Sequence, residues 1–362
     1  MKDFLIFRTD RLGDFIIHSR PVFELKKKFP DCRITVVCSD LNKKIISKFS
    51  YIDNVIIFNK SDSLHIKFKT FIKIISTNYF ASFVLDGKNF SYLCNMFIRS
   101  KTKVGIIYKS TFSIFSFKLD RIKPSSIYNY FFFDKVEFFT SKRSLKKEEH
   151  LPKIYINLFS DFISSDITVY SKYSFEAQEA SNLLYSQIQT ALKINDFIIL
   201  HFDEKWVDLL SENNNLFDEI IYFQKYNNLR IIITSYNNNF DYYKVLKGNF
   251  DYHDCFALTD SNKLSKFDIS NILILDNLEI FLFERFVKNS KANISCHSGF
   301  IAQVCGSNNG NIIDIINKED EIWYSCWKPK NTFHKFIYKS FNNKKVSLKD
   351  IFSNISKTLE SL

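Results

Sequence analysis

The chain has 362 residues, enough for two domains with separate cores. Hydrophobic residues make up 46% and charged residues 25%, a balance that excludes a disordered or fibrous chain. Fifty Lys+Arg against 39 Asp+Glu leave a formal charge of +11, which suits a partner carrying phosphates: nucleic acid, an anionic membrane face or a phosphorylated small molecule. The basic residues are widely spread, densest at Lys26–Lys28 and at Lys142, Arg143, Lys146 and Lys147. No nucleic-acid-binding signature accompanies them, so nucleic acid is not an expected partner. A solvated surface is the bland reading of these charges, and weak attraction to an anionic cytoplasmic leaflet the sharper one. Seven cysteines without a CxxC pair argue against a zinc site or a disulfide scaffold and fit reduced thiols in the cytosol. The 40 Phe, with many Lys, Asn and Ile, read as codon bias, so a Phe cluster alone carries little functional weight. No apolar run reaches the ~20 residues that span a bilayer. A strand starts within a few residues of Met1, and the N-terminus carries Asp3, which is not the pattern of a signal peptide.

Short β-branched or aromatic runs recur with helical stretches between them. The first series predicts strands at Phe4–Arg8, Arg33–Ser39, Val55–Asn59, Ser82–Asp86 and Val104–Tyr108. Between the first two, Phe15–Phe29 reads as a helix with Phe15, Val22, Leu25 and Phe29 near one face. Pro21 inside it implies a kink or a late start, and Pro30-Asp31 ends it. The stretch Ser141–Ser186, rich in Lys, Glu and Ser, holds the domain crossover near 165–186. A second series predicts strands at Phe197–Phe202, Arg230–Ser235, Ile272–Leu275, Ala292–Cys296 and Asn311–Ile316. Two of these are near-continuous apolar runs, as strands buried on both faces require. The alternation predicts α/β domains with mainly parallel sheets: residues 1–175, residues 176–335, and a basic tail, 336–362, helical at Leu348–Leu362.

Ligands of open parallel sheets bind beyond the C-terminal strand ends, where strand order reverses. The candidates are therefore Arg8 to Asp14, Asp86 to Lys88, His201 to Lys205, Ser235 to Asn237 and His297 to Gly299. The chain has only seven glycines, and Gly13 and Gly299 each stand at a strand-to-helix turn. Asp14 falls in the first helical turn, where free backbone amides favour a carboxylate. It is either an N-cap or a general base for a substrate hydroxyl. Arg11 either binds an acidic acceptor or pairs with Asp10, and Asp86 and Lys88 end a strand near the same place. The amides at Ser298 and Gly299 are a candidate phosphate cradle, to which His297 adds a donor or a positive charge. Lys205 is either a phosphate partner or a surface lysine beside Trp206. Cys296 and His297, adjacent on a strand, point to opposite faces, against a thiolate pair. Trp323 and Trp327 read as packing. The turn at Gly13 is not GxGxxG, so no dinucleotide fingerprint is present.

The run Phe4-Leu-Ile-Phe-Arg-Thr-Asp-Arg-Leu-Gly-Asp14, the Pro21 helix, Lys26-Lys-Lys-Phe-Pro-Asp31 and the strand after it resemble the opening of the heptosyltransferase-like glycosyltransferases, family 9. Phe83-Val-Leu-Asp-Gly87, Lys101-Thr-Lys-Val-Gly105 and Ile199-Leu-His201 with Lys205-Trp206 are similar to later family segments, in the right order. The resemblance implies a GT-B architecture, two Rossmann-like domains with parallel sheets facing a central cleft. It implies that the first domain binds the acceptor, through Arg8, Arg11, Gly13, Asp86 and Lys88. The second would bind a nucleotide-sugar, with Lys205, His297, Ser298 and Gly299 at the donor. The implied reaction is inverting transfer of a sugar, usually a heptose from ADP-heptose, to a lipopolysaccharide or other envelope-glycan acceptor. Asp14 would be the general base, and neither a metal nor a cofactor is implied. The implied location is the cytoplasmic face of the inner membrane. One turn departs from the family pattern of Asp-Ser/Thr-Gly-x-x-His: here His297 stands at the acid position and Ala302 at the histidine position. That departure keeps two alternatives open, a donor-less binding or scaffold protein and a GT-B nucleotide-sugar epimerase.

Overall fold

Apolar runs buried on both faces leave little choice but parallel strands with helices on either side. The structure, a computed structural model, has this form. It describes residues 1–10, 12–114, 117–122, 131–139, 150–164, 179–191, 194–206, 209, 216–235, 241–254, 271–342 and 344–362. Arg11, the basic residues 142–147, Tyr236 and Asn237 lie outside the described residues, as does much of the 141–186 crossover. The chain divides into two units, Met1–Ser171 with Ser325–Trp327, and Lys172–Tyr324 with Lys328–Leu362.

Unit 1 runs β1 (Asp3–Phe7), α1 (Leu12–Lys28), β2 (Arg33–Cys38), α2 (Asp40–Ile46), β3 (Asn54–Ile57), α3 (Leu64–Ile75), β4 (Asn78–Val84), α4 (Asn89–Phe97), β5 (Arg99–Ile114), β6 (Phe117–Ile122), β7 (Lys135–Phe139) and α5 (Leu151–Leu158). Its parallel strands lie in the order β3-β2-β1-β4-β5-β7, while β6 pairs antiparallel with the second half of β5. Phe4 to Phe7 of β1 are fully buried, and Phe4 packs its ring against Phe29, Phe80 and Phe162. Phe83 of β4 stacks on Phe159 at 4.3 Å. Helix α1 runs through Pro21 without a late start. Proline removes one backbone donor, and burial of Phe15, Val22 and Leu25 around it holds the helix on the sheet.

Unit 2 runs α6 (Glu179–Ala191), β8 (Phe197–Phe202), a 3-10 turn (Glu204–Trp206), α7 (Leu216–Asn227), β9 (Arg230–Ser235), α8 (Asp241–Asn249), β10 (Asp251–Asp254), β11 (Ile272–Asp276), α9 (Ile280–Asn289), β12 (Ala292–Ser295), α10 (Gly299–Asn308), β13 (Ile312–Asn317), a second 3-10 turn (Lys318–Asp320), α11 (Glu321–Trp327), β14 (His334–Phe341), β15 (Lys344–Lys345) and α12 (Leu348–Leu359). The sheet order is β10-β11-β9-β8-β12-β13-β14-β15, parallel except for the last pair. Its core joins Ile198, Leu200, Ile231, Ile233 and Ile294 to Trp206, whose indole donates to the His201 carbonyl at 3.0 Å. The segment expected as a helical tail from residue 336 opens as β14, parallel to β13. Lys335 and Lys339 interrupt its apolar residues, which disguises the strand in a basic tail. Helix α12 then lays Ile351, Phe352 and Ile355 on the unit 2 core.

Gly105 of β5 is a close-approach glycine: a Cβ there would strike the ring of Phe133. Gly105→Ala is expected to lower the unfolding free energy by about 1–3 kcal/mol, the usual cost of overpacking. Urea denaturation reads it, and an unmoved midpoint would show that the ring yields freely.

Candidate functional site

In each sheet the chain crosses from one side of its first strand to the other. In unit 1 the chain moves outward from β1 to β2 and β3, then crosses to β4 on the other side. In unit 2 it moves outward from β8 and crosses back to β12. At such a switch point the loops after neighbouring strands diverge, leaving room beyond the strand ends. The charged residues singled out from the sequence cluster at these two places.

Arg8 follows β1 and is 1% exposed. A guanidinium removed from water must be matched by acceptors. Its Nη1 donates to the Leu85 carbonyl and lies 3.1 Å from Asp10 Oδ2. Its Nη2 lies 3.5 Å from Asp14 Oδ1, and its plane sits 5.4 Å from the Tyr155 ring centre. Asp14 is the third residue of α1, so its carboxylate lies between the guanidinium and the positive end of the helix. Its side chain keeps 35% of its surface exposed. Beneath it His18 donates from Nδ1 to the Asp14 carbonyl at 2.6 Å. Burial, aided by the Arg8 charge, pushes the His18 imidazole well below its ordinary pKa. Lys88, exposed, places Nζ 3.1 Å from Asp10 Oδ1.

Arg8 and Asp86 are expected from the sequence to meet an acceptor, but burial turns both inward. Asp86 accepts from Thr9 N at 3.2 Å and Thr9 Oγ1 at 2.7 Å, from Ser91 Oγ at 2.9 Å and from the Lys88 amide at 3.2 Å. Burial, then the charge of Asp10, pushes its carboxyl upward. Asp86 thus braces the loops after β1 and β4, and Asp14 and Lys88 are left as the described residues that present charge outward. Gly13 is helical, not left-handed. The left-handed residue of this switch point is Gly87, with φ 59°, whose bend brings the Lys88 amide back to Asp86.

In unit 2 the corresponding bend is made by His297, with φ 64°. A residue with a Cβ pays roughly 1–2 kcal/mol for that conformation. The ring is held in return: Nδ1 lies 2.7 Å from Asp314 Oδ2, and the Tyr324 ring is 3.9 Å away. Asp314, 1% exposed, also accepts from His334 Nε2 at 2.8 Å and Ser295 Oγ at 3.1 Å. Burial opposes its charge, but the converging donors hold its carboxyl well below the usual range. Burial likewise pushes the His297 imidazole below its usual value, against the pull of Asp314. The consistent state is a neutral His297 that donates Nδ1–H to an ionised Asp314. Its Nε2 then carries a lone pair and has no protein partner among the described residues. A positive His297 is therefore not what this arrangement supports.

Lys205 ties the two strands of the switch point together. Its Nζ donates to the His297 carbonyl at 2.6 Å and lies 3.5 Å from Asp203 Oδ2, with 29% of the side chain exposed. Lys339 fixes the backbone from behind, donating to the Lys205 carbonyl at 2.9 Å. The Ser298 amide, an expected phosphate donor, is already spent on Ser295 Oγ at 3.0 Å, and the Ser298 hydroxyl caps α10 at Ile301 N. Gly299, exposed at the first position of α10, retains the place for an anion. His201 turns inward to Thr234 and Phe283. Cys296 is buried, and burial pushes its thiol upward, as for an inert thiol. Trp327 packs on Phe139 and Tyr155. Among the described residues no group of three or more His, Cys, Asp or Glu could hold a metal ion. His18, Tyr155, Asp314 and His334 escape a reading of the sequence. Only Asp314 has a local signal, an acid inside an otherwise apolar strand.

No protein-family model and no curated protein matches the sequence. Solved structures do match. A glycosyl transferase family 9 protein from Veillonella parvula superposes with a TM-score of 0.63 at 12% identity, over 100% of this chain and 98% of its own. The fold is that of the family 9 glycosyltransferases. The E. coli heptosyltransferase WaaC with ADP-2-deoxy-2-fluoro heptose gives 0.61 at 13% identity, over 99% of both chains. UDP-GlcNAc 2-epimerase from Neisseria meningitidis bound to UDP-GlcNAc gives 0.51 at 13%, over 99% of this chain and 92% of its own. The two Rossmann-like units expected from the sequence are thus the observed architecture.

His201 supplies a pH test of this inward packing. Burial, then the charge of Lys205, lowers its pKa to about 3. The unfolded chain takes up that proton below about pH 6.5 and the folded chain does not, so the contribution is whole above pH 6.5 and shrinks on acidification. Acidifying from pH 7.5 to 5 should cost the wild type about 2 kcal/mol at this residue. The stability gap between wild type and His201→Asn should narrow by that amount in urea titrations, and a constant gap would contradict a neutral buried ring. Asp86 and Asp203, shifted upward, act in the opposite sense in both proteins, so they cancel from the difference.

Proposed function

We propose that this chain is a glycosyltransferase that moves a sugar from a nucleotide-activated donor to an envelope-glycan acceptor. The observation that carries the reading is the pairing of place and chemistry. A carboxylate held beside a buried guanidinium occupies the switch point of unit 1, and a lysine occupies that of unit 2. The fold that holds them matches, along its whole length, a heptosyltransferase solved with an ADP-sugar.

In this reading Asp14 takes the proton of the acceptor hydroxyl as that oxygen attacks the anomeric carbon. The bond from that carbon to the donor phosphate breaks in the same displacement, so configuration inverts. Negative charge then grows on the departing nucleoside diphosphate. Lys205, its ammonium fixed by the His297 carbonyl, is placed to offset it without a metal, with Gly299 at the α10 N-terminus adding an amide. The neutral Nε2 of His297 accepts a hydrogen bond, so it suits a ribose or sugar hydroxyl rather than a phosphate oxygen. Lys88 is the outward cation for an acidic acceptor. The donor fits an ADP-heptose-like sugar, the acceptor a lipopolysaccharide-type glycolipid or oligosaccharide, and the workplace the cytoplasmic face of the inner membrane. The epimerase likeness favours a second reading at lower similarity, in which the donor alone is turned over.

Calorimetry with a panel of nucleotide-sugars tests the core of the reading, and binding by no member would reject it in favour of a donor-less protein. With a bound donor and an acceptor extract, Asp14→Asn is expected to cut transfer about 100-fold or more while donor affinity holds. Lys205→Met is expected to weaken donor binding about tenfold or more. Turnover that survives in Asp14→Asn would remove the base assignment. A converted donor without added acceptor would establish the epimerase.

A further inference from the structure

Large exposed hydrophobic side chains are not evenly distributed in this protein. Of sixteen among the described residues, eight lie between Leu64 and Phe132 of unit 1. On α3, Leu64, Phe68 and Ile72 follow one another at four-residue spacing, so they form a single stripe. They are 84%, 64% and 43% exposed. The stripe borders the side of α3 that packs inward through Phe71, Ile74 and Ile75. Phe71 in turn touches Phe97 of α4, ring centres 5.8 Å apart, and Leu93 lies one turn before Phe97. Phe97 and Leu93 are exposed too.

The charges on α3 and α4 have one sign: Lys67, Lys69 and Lys73, with no acid on either helix. From Ser63 to Leu119 the sequence has nine Lys or Arg and a single acid, Asp86, which is buried and hydrogen-bonded to protein donors. On α3 itself Lys69 and Lys73 follow the stripe around the helix, and Lys67 reaches back to the Lys60 carbonyl. An apolar stripe edged by lysines on a helix with no acid is the arrangement that lies in a lipid headgroup layer. Its rings enter the acyl boundary while the ammonium groups stay at phosphate depth. A second copy of this chain is a poorer occupant, because two-fold pairing would set lysine against lysine. No described helix is long and apolar enough to cross a membrane, so such contact would be from one side.

We propose that the α3–α4 face of unit 1, centred on Phe68 and Ile72 and rimmed by Lys69 and Lys73, docks onto an anionic lipid bilayer. The inference rests on that reading for a membrane workplace, but no residue of this face belongs to the proposed donor or acceptor site, so donor binding and membrane binding can fail separately. The test is co-sedimentation of the full chain with phosphatidylcholine vesicles, with and without phosphatidylglycerol. Binding is expected to the anionic vesicles, and to drop about tenfold or more on neutral vesicles or in high salt. Phe68→Ser with Ile72→Ser, and separately Lys69→Gln with Lys73→Gln, should each lose binding by a similar factor. Thermal unfolding of both variants should match wild type, since these side chains are exposed. Donor affinity, measured on the same samples, reports the transferase reading independently. Equal binding to neutral vesicles, or undiminished binding by either folded double variant, overturns the proposal. So does the absence of vesicle binding with a concentration-dependent dimer that Phe68→Ser with Ile72→Ser dissolves.

Discussion

A guanidinium stripped of water is the constraint around which the first unit is arranged. Arg8 has almost no exposure, so nearly every donor it carries must find oxygen inside the protein. The Leu85 carbonyl, Asp10 and Asp14 come from three different segments: the end of β4, the loop after β1 and the start of α1. One cation therefore fixes the mutual placement of all three. Removing it would take from Asp10 and Asp14, both partly exposed, the counter-charge they share. The carboxylate proposed as the base is thus held by the guanidinium, with 35% of its side chain exposed.

The second unit solves the same problem with the sign reversed. Asp314 is a buried anion, and Ser295, His297 and His334 converge on it. These partners arrive from β12, the turn after it and β14, so the acid ties the outer strands to the turn that carries His297. Lys205 reaches the same turn from β8. In each unit, then, a buried charge organises the switch point, and a partly exposed charge stands beside it: Asp14 in the first, Lys205 in the second.

Strand positions in both units were legible because buried parallel strands are written as unbroken apolar runs, such as Phe197 to Phe202. β6, β7, β10 and β14 were not, because none is an unbroken apolar run; in β14 Lys335 and Lys339 interrupt the apolar residues. That Asp14, Lys88 and Lys205 follow strand ends was legible too, since the strand positions were. The inward roles of Arg8 and Asp86 could not, because burial depends on Leu85, Ser91 and Thr9 meeting them in space. The glycine reading failed for a related reason. A glycine marks a permissive position but does not reveal which torsion it uses: Gly13 is helical, while the bends fall at Gly87 and His297.

The left-handed backbone at His297 has a lasting effect on how this loop can change. Glycine there would relax the main chain yet remove the imidazole and leave Asp314 short of a partner. A β-branched replacement would deepen the torsional tension and also lose the ring. Comfort of the peptide and possession of the imidazole pull in opposite directions at one position, so the loop has few neutral mutational exits. Drift in this turn should accumulate around residue 297 before it reaches it.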